Sequence, residues 1–314
     1  MKKLLILSGK GGTGKTTVAA AFVSLESARA FADCDVDAPN LHLVVRGLPT
    51  PLVSDYYGMG KAVIDEDTCI SCGICISKCR FGAISVKEAG KARVNPFACE
   101  GCGLCEALCP VKAIGTEESI AGQLMLYRIP SSQNRGTKPE SGSDVKTEES
   151  AAVFSTAELK MGNGTSGKLV SEVKKQLFSE ASKGVRLAII DGSPGIGCPV
   201  IASISGVDLV LIVAEPSVSG ISDMKRIIET AQFFSVEIVV CVNKFDTNIE
   251  RSTEIERFCA ENSLPFIGRI PYDEKVIEAT NAGKTIDCSE GPASDSIRCV
   301  FLRIQEFLTE KGAK

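Results

Sequence analysis

The chain has 314 residues, of which 44% are apolar and 24% charged, the balance of a soluble globular protein. This length allows a full α/β core and a small second module. The net charge of −4 excludes a strongly basic surface and argues against nucleic-acid binding. No apolar run is long enough to span a bilayer, so we expect no stable membrane insertion.

The N-terminus imitates a signal peptide, because two lysines precede the apolar stretch Leu4 to Leu7. That stretch is too short for the apolar part of a signal peptide and runs directly into a glycine-rich loop. We therefore predict a buried first strand and a cytoplasmic protein. Fourteen cysteines in such a chain favour metal ligation over a disulfide scaffold.

Four stretches follow one another along the chain. Residues 1–58 have the pattern of a strand, a glycine loop, a helix, a short strand and an acidic turn, and residues 60–116 are rich in cysteine. Residues 117–165 contain two apolar pieces around a polar stretch at about 131–150, which we predict to be a mobile hairpin loop. From Gly167, short apolar runs alternate with amphipathic segments, as in parallel strands covered on both faces.

This alternation predicts a doubly wound, mainly parallel α/β sheet with right-handed crossovers. The cysteine-rich stretch interrupts it, so we divide the chain into a first part (1–58), an insertion (59–116) and a second part (117–314). Amphipathic spacing predicts helices at Ser222–Phe233, Asn248–Glu261 and Ser296–Glu310.

The first glycine loop fits the pattern G-x4-G-K-[ST] between a strand and a helix, the context that this pattern requires. Glycines let successive backbone N–H groups turn toward phosphate oxygens, and the helix N-terminus adds its positive end. Lys15 is expected to reach the β- and γ-phosphates, and the Thr16 hydroxyl to bind Mg²⁺. The predicted nucleotide-binding residues of the loop are Gly9, Gly11, Gly12, Thr13, Gly14, Lys15, Thr16 and Thr17.

The extra lysine at Lys10 makes this loop similar to the deviant Walker A motif of the MinD/Mrp/ParA-like ATPases, which belong to the SIMIBI-like P-loop NTPases. In that family the early lysine crosses a nucleotide sandwich dimer and contacts the phosphates of the other subunit. The resemblance implies that Lys10 is catalytic and acts in trans, as an arginine finger does. A homodimer and a heterodimer with a sister ATPase are both compatible with the sequence.

Two acidic segments, residues 33–40 and 191–195, resemble the two switch regions of the same family. For the first, the resemblance implies that Asp35 orients or deprotonates the attacking water and that Asp33 holds Mg²⁺ through water. In the second, Asp191 is implied in the Mg²⁺ shell and the Gly195 amide as a sensor of the γ-phosphate. Ser193 stands where the family carries the first proline of D-x-P-P-G.

The base is expected near the strand end that carries Asn243. The sequence there also spells N-K-x-D, the guanine-reading motif of GTPases, with Asp246 as its last residue. In the resembling families an asparagine at this strand end reads adenine, together with the backbone around Pro271. Because P-loop variants of this type are mostly ATPases, we predict ATP and Mg²⁺ as ligands and keep GTP as the alternative.

Eight cysteines form one repeated pattern, C-x2-C-x2-C-x3-C, within residues 69–109. Bacterial two-cluster ferredoxins carry this run, and the fourth cysteine of each run ligates the other cluster. A structural zinc site is the alternative, but it would use four thiolates in two C-x2-C pairs. We therefore predict an inserted α+β ferredoxin-like module with two [4Fe–4S] clusters. The predicted ligands are Cys69, Cys72, Cys75 and Cys109 for the first cluster, and Cys99, Cys102, Cys105 and Cys79 for the second.

One further cysteine, Cys198, lies seven residues after Asp191 but has no evident second ligand. We predict that it is a buried free thiol and that the remaining cysteines outside the two runs are structural.

The order of these motifs resembles the ferredoxin-bearing branch of the MinD/Mrp ATPases over nearly the whole chain. The insertion lies between the two switch segments, so movements of the switches have a short covalent route to the clusters. Three functions stay open: ATP-gated electron transfer to a redox partner, delivery of iron–sulfur clusters to an acceptor protein, and a spatial positioning switch. Eight ferredoxin-type thiolates and the lack of a C-terminal C-x-x-C favour electron transfer.

Overall fold

The structure is a computed structural model that describes residues 1–87, 90–130 and 152–310. The loop predicted at 131–150 lies outside the described residues.

A nine-stranded sheet forms the centre of the molecule, in the order β13-β12-β11-β1-β10-β2-β9-β8-β3. Seven neighbouring strands run parallel, and β8 and β3 are antiparallel at one edge. This confirms the predicted α/β class with a mainly parallel sheet. The strands are β1 (Lys2–Leu7), β2 (Ala30–Asp33), β3 (Leu52–Tyr57), β8 (Ile120–Ile129), β9 (Ala152–Leu159), β10 (Leu187–Asp191), β11 (Leu209–Ala214), β12 (Glu237–Asn243) and β13 (Phe266–Ile270).

Helices cover both faces of this sheet, because side chains of each buried strand point alternately to either side. Leu5 and Leu7 of β1 belong to the hydrophobic core on the face of α5 to α8, whereas Leu4 and Ile6 belong to the core on the face of α1 and α10. The helices around the sheet are α1 (Lys15–Leu25), α2 (Leu41–Val44), α5 (Ser166–Glu180), α6 (Cys198–Ile204), α7 (Val218–Phe233), α8 (Ile249–Glu261), α9 (Glu274–Asn281) and α10 (Pro292–Glu310).

The residues between β3 and β8, 58–119, form what we call the cysteine-rich segment. It contains two antiparallel strand pairs and two short helices, with a small apolar cluster separate from the two cores of the main sheet. Its elements are β4 (Lys61–Ile64), α3 (Ile74–Lys78), β5 (Ile84–Val86), β6 (Ala92–Val94), α4 (Leu104–Leu108) and β7 (Ile114–Glu117). Strand β4 pairs with β7, and β5 with β6.

The two halves of this segment repeat at an offset of 30 residues, the distance from Cys69 to Cys99. The backbone repeats as well as the cysteines. A left-handed residue with φ near +73° precedes each short helix, at Gly73 and at Gly103. Two residues earlier, Ser71 and Gly101 are also left-handed, with φ of +60° and +67°.

The second half of the segment packs against the segment's own first residues and against the loop before α5. Gly101 approaches Met59 and the Gly60 carbonyl so closely that a Cβ at position 101 would lie 2.5 Å from that oxygen. On the other side, Gly164 in the loop before α5 lies against the side chain of Glu100. Lys168 Nζ is 3.0 Å from the Met59 sulfur. The second run is therefore next to the start of α5.

Candidate nucleotide site and cysteine cavities

The glycine loop between β1 and α1 borders a cavity of about 500 Å³. Among its lining residues are Lys10, Thr13, Lys15, Thr16, Thr17 and Asp35. Gly14 has φ +90°, and a Cβ there would lie 2.2 Å from Asn243 Nδ2, so only glycine fits. The cavity lies at the carboxyl ends of the parallel strands, where ligands of open α/β sheets bind.

The two candidate magnesium carboxylates lie side by side, because Asp191 and Asp33 are partners at the ends of β10 and β2. Both side chains are fully buried. Lys15 Nζ pairs with Asp191 Oδ1, and Asp191 Oδ2 has no hydrogen-bond partner within the described residues. A buried carboxylate oxygen without a partner is costly, and a hard cation such as Mg²⁺ would satisfy it.

Asp33 is held by the backbone of the first switch segment. Its carboxylate accepts 2.9 Å hydrogen bonds from the amides of Asp35, Asn40 and Leu41. Burial, followed by repulsion from Asp191, raises the pKa of Asp33 to about 7. Asp35 is half-buried at the cavity, and burial raises its pKa as well.

The two switch segments are bonded to each other and to β1. Ser193 Oγ donates to the Cys34 carbonyl at 2.5 Å, and the Cys34 amide donates to the Asp191 carbonyl at 2.8 Å. The Gly195 amide donates to the Ser8 carbonyl at 3.1 Å. The amide predicted to sense the γ-phosphate is therefore engaged within the chain, and phosphate contact requires that this bond break.

Lys10 folds back onto its own chain. Its Nζ lies 2.8 Å from Glu215 Oε2, 3.3 Å from Ser217 Oγ and 3.4 Å from Ser219 Oγ. The same Glu215 lies 3.8 Å from Lys244 Nζ, which donates to the Gly12 carbonyl. The sequence prediction missed Glu215. Its position after β11, at the carboxyl edge of the sheet, is the signal that could have indicated it.

A second cavity of about 230 Å³ adjoins the glycine loop and is lined by Asn243 and Ile270. Pro271 is not among its lining residues, although it follows Ile270. Asn243 Nδ2 donates to the Thr13 carbonyl at 2.7 Å. Asp246 accepts the Tyr272 amide at 2.7 Å and lines neither cavity. The structure thus brings Asn243 to the loop but leaves the carboxylate of the N-K-x-D pattern outside.

The cysteine-rich segment holds two smaller cavities, and each is lined by one of the predicted ligand sets. The first is lined by Cys69, Cys72, Cys75 and Cys109. The second is lined by Cys79, Cys99, Cys102 and Cys105. The fourth cysteine of each run therefore faces the cavity of the other run.

Backbone amides point at the fourth sulfur of each run. The Ala83 amide donates to Cys79 Sγ at 3.4 Å, and the Ala113 amide to Cys109 Sγ at 3.2 Å. Within the described residues, no three His, Cys, Asp or Glu side chains converge closely enough to hold a single metal ion. Each cysteine set surrounds a cavity and does not converge on a point.

The remaining cysteines divide into two groups. Cys34, Cys241 and Cys259 are buried, and burial raises the pKa of each thiol, as expected for structural cysteines. Cys198 is exposed at the first position of α6, so the prediction that it is buried is wrong. The turn after β10 brings it to the surface before α6 packs inward through Val200 and Ile204. The others, Cys288 and Cys299, are exposed as well.

Residues 4–286 match the CobQ/CobB/MinD/ParA nucleotide binding domain. The chain belongs to this family. An uncharacterized protein of Methanocaldococcus jannaschii is 34% identical over 313 residues, which cover 98% of this chain and 97% of that protein. The iron-sulfur cluster carrier protein of the same organism is 26% identical over 159 residues, 46% of this chain and 55% of that protein.

The fold is also found in solved structures of MinD proteins. The septum site-determining protein MinD of Pyrococcus horikoshii OT3, solved in complex with Mg-ADP, superposes with a TM-score of 0.54. It is 15% identical, and the alignment covers 98% of this chain and 97% of that one. In the part of this family member that the structure describes, no helix is long and apolar enough to cross a membrane.

Proposed function

We propose that this chain is an Mg²⁺-dependent ATPase whose cysteine-rich segment is a ferredoxin-like module with two [4Fe–4S] clusters. Its function is electron transfer to a partner protein, gated by ATP in a sandwich dimer. The dimer is a homodimer or a heterodimer with a related chain.

The 230 Å³ cavity lined by Asn243 and Ile270, where we place the base, supports ATP over GTP. A guanine-reading carboxylate has to face the base, and Asp246 instead binds the Tyr272 amide outside the cavity. The family shown for residues 4–286 binds nucleotides, and a protein of the same fold binds Mg-ADP.

The charged residues support a division of labour in hydrolysis. Thr16, Asp191 and Asp33 would hold magnesium, which supplies positive charge to the phosphates when bound. Lys15 leaves Asp191 and reaches the phosphates. Asp35 orients the attacking water and accepts its proton, and burial raises its pKa, which makes the carboxylate a stronger base. The partner subunit's Lys10 stabilises the negative charge of the transition state.

The two cysteine cavities support clusters over zinc. A structural zinc site uses four ligands, commonly two C-x2-C pairs, whereas eight cysteines line the two cavities here. A four-iron cube contacts its cysteines at separate corners and needs sets that surround a volume. The two sets of four cysteines around separate cavities meet that requirement.

A chain of contacts supports coupling between nucleotide and clusters. The second switch segment leads into α6, whose Cys198 packs against Gly167 of α5. A Cβ added to Gly167 would lie 3.1 Å from the Cβ of Cys198. The loop before α5 contacts Glu100 of the second run through Gly164. This route runs through packing contacts, in addition to the covalent connection through α2 and β3.

The observation that carries the proposal is the division of eight cysteines into two crossed sets within a chain that also has a P-loop cavity. The test is anaerobic purification, metal analysis and EPR of the reduced protein with and without MgATP. We expect about eight iron atoms per chain, four for each cluster, and a spectrum that MgATP changes. The Lys15→Ala variant, which cannot hold the phosphates, should keep the iron and lose the response. Zinc in place of iron would contradict the cluster assignment.

Cluster delivery is a second candidate, favoured by the similarity to the iron-sulfur cluster carrier protein of Methanocaldococcus jannaschii. Transfer from the loaded protein to an apo-ferredoxin, followed by circular dichroism, separates the two functions. Rapid ATP-dependent transfer without redox change supports delivery. Retention of both clusters during electron transfer supports our proposal.

A further inference from the structure

The repeat in the cysteine-rich segment includes two lysines as well as the cysteines. Lys61 and Lys91 are separated by 30 residues (61 to 91), the offset of the two cysteine runs. Lys61 Nζ lies 2.5 Å from the carbonyl oxygen of Cys99. Lys91 Nζ donates in the same way to the carbonyl oxygen of Cys69. Each lysine thus binds the backbone of the first cysteine of a run.

Each of these two contacts joins one half of the cysteine-rich segment to the other half. Lys61 precedes the first run and binds at the second cavity, whereas Lys91 precedes the second run and binds at the first. Both lysines are half-buried. Within the described residues neither takes part in an ion pair, unlike Lys87 of the same segment, which pairs with Glu66.

We propose that Lys61 and Lys91 are positioning residues that raise the reduction potentials of the two clusters, Lys61 that of the second and Lys91 that of the first. The inference rests on the proposed function, because it needs clusters in the two cavities. Reduction adds one negative charge to a cluster, and a fixed cation beside it favours that state. A half-buried cation acts more strongly than an exposed one such as Arg80, whose charge is screened by water and salt.

The experiment is a redox titration of the iron-loaded full chain, followed by EPR. Lys61→Gln and Lys91→Gln keep a hydrogen-bond donor and remove the charge, whereas Lys61→Arg and Lys91→Arg keep the charge. We expect each Gln variant to lower one of the two midpoint potentials, a different one in each case. The double Gln variant should lower both, and the Arg variants should stay near the wild type. Lys87→Gln is the matched control and should change neither potential.

Unchanged potentials in iron-loaded Gln variants would overturn the inference, as would Arg variants that shift as far as the Gln variants. If the Gln variants lose iron, the Arg variants decide. Loss of iron from the Arg variants as well would show that the lysines only hold the cysteine loops in shape. Arg variants that keep their iron and the wild-type potentials support the role of charge. Failure of the proposed function gives a different result, because the wild-type chain would then hold no cluster.

Discussion

The cations of the nucleotide site are each paired with a carboxylate of their own chain. Lys15 neutralises Asp191, and Lys10 contacts Glu215. Nucleotide binding must therefore exchange intrachain ion pairs for contacts to phosphate, and breaking a buried pair leaves a charge that needs a new partner. Magnesium and phosphate arrive together and supply both partners, so we expect binding to need the metal.

Proton release should accompany that exchange. Because the pKa of Asp33 is raised to about 7, its carboxyl group is mostly protonated at pH 6 in the free chain. Bound Mg²⁺ favours the ionised form, so MgADP binding should release up to about one proton at pH 6 and almost none at pH 8.5. Affinity should accordingly fall as the pH falls below 7. Calorimetry in two buffers of different ionisation enthalpy measures the release.

ADP with EDTA is the control for this titration. Equal proton release with and without magnesium would contradict the assignment of the metal to this carboxylate pair.

Lys10 offers a second test at the residue scale. Lys10→Ala should lower ATP turnover by about 10³-fold or more, the contribution of a trans-acting cation, and leave ATP affinity nearly unchanged. Asp35→Ala should be equally inactive. In a mixture of the two variants, a mixed dimer contains one site with an intact Asp35 and the partner subunit's Lys10. We expect ATP turnover to recover partly on mixing.

No recovery on mixing would contradict the trans mechanism in a homodimer. Full activity of Lys10→Ala alone would contradict any catalytic role of this lysine.

Among the secondary-structure elements, the comparison of Gly101 with Ser71 shows what the second cysteine loop requires. Both residues are left-handed and occupy the same place in the repeat, but Ser71 tolerates the conformation with a side chain. Gly101 differs because Met59 and the Gly60 carbonyl fill the space of its Cβ. The contact with the first residues of the segment, and not the turn itself, demands glycine at position 101.

Gly101→Ala should therefore disrupt the contact of the second cysteine loop with Met59 and Gly60. We expect a thermal destabilisation beyond the roughly 1 kcal/mol that a left-handed alanine costs, together with loss of iron from the second cavity only. The matched control is Gly82→Ala, which has φ +62° and no atom within 4 Å of its Cβ position. Melting curves and iron content of both variants measure the difference. Equal effects would show that the close contact is unimportant.

The starts of two helices show where prediction from the sequence was inaccurate. Helix α7 begins at Val218, four residues before the predicted start, because Ser217 Oγ caps it by accepting the Gly220 amide. Helix α10 begins at Pro292, a residue suited to a first helical position. Both signals were present in the sequence, but the apolar periodicity begins later than the caps. The exposure of Cys198 had no such signal, because it depends on the turn between β10 and α6.

For the molecule as a whole, local patterns predicted the strands, the P-loop and the two cysteine runs. Contacts between distant residues could not be predicted in this way. Lys61 meets Cys99 across 38 residues, and Lys10 meets Glu215 only because β1 and β11 are neighbours in the sheet. No local pattern of residues in the sequence marks such pairs, because only the tertiary packing brings them together.

Both ends of the cysteine-rich segment meet at the edge of the main sheet. Tyr57 at the end of β3 and Ile120 at the start of β8 are partners in an antiparallel pair, the arrangement that a short hairpin turn would also close. Replacing residues 59–118 with an Asn-Gly turn should therefore leave a folded protein that binds MgADP with nearly native affinity and holds no iron. Circular dichroism and calorimetry check this outcome, and an unfolded product would contradict it.

Because of the same geometry, the cysteine-rich segment is an insertion that another domain could replace. Because its strands enter and leave at adjacent points, it can be removed, lengthened or exchanged without rethreading the nucleotide-binding core. An unrelated domain with closely spaced ends, such as a fluorescent reporter, could be inserted at Gly58. Gly58 lies against Thr165, so the inserted domain would be next to the start of α5. Movements of the switch segments would then change the fluorescence of the reporter.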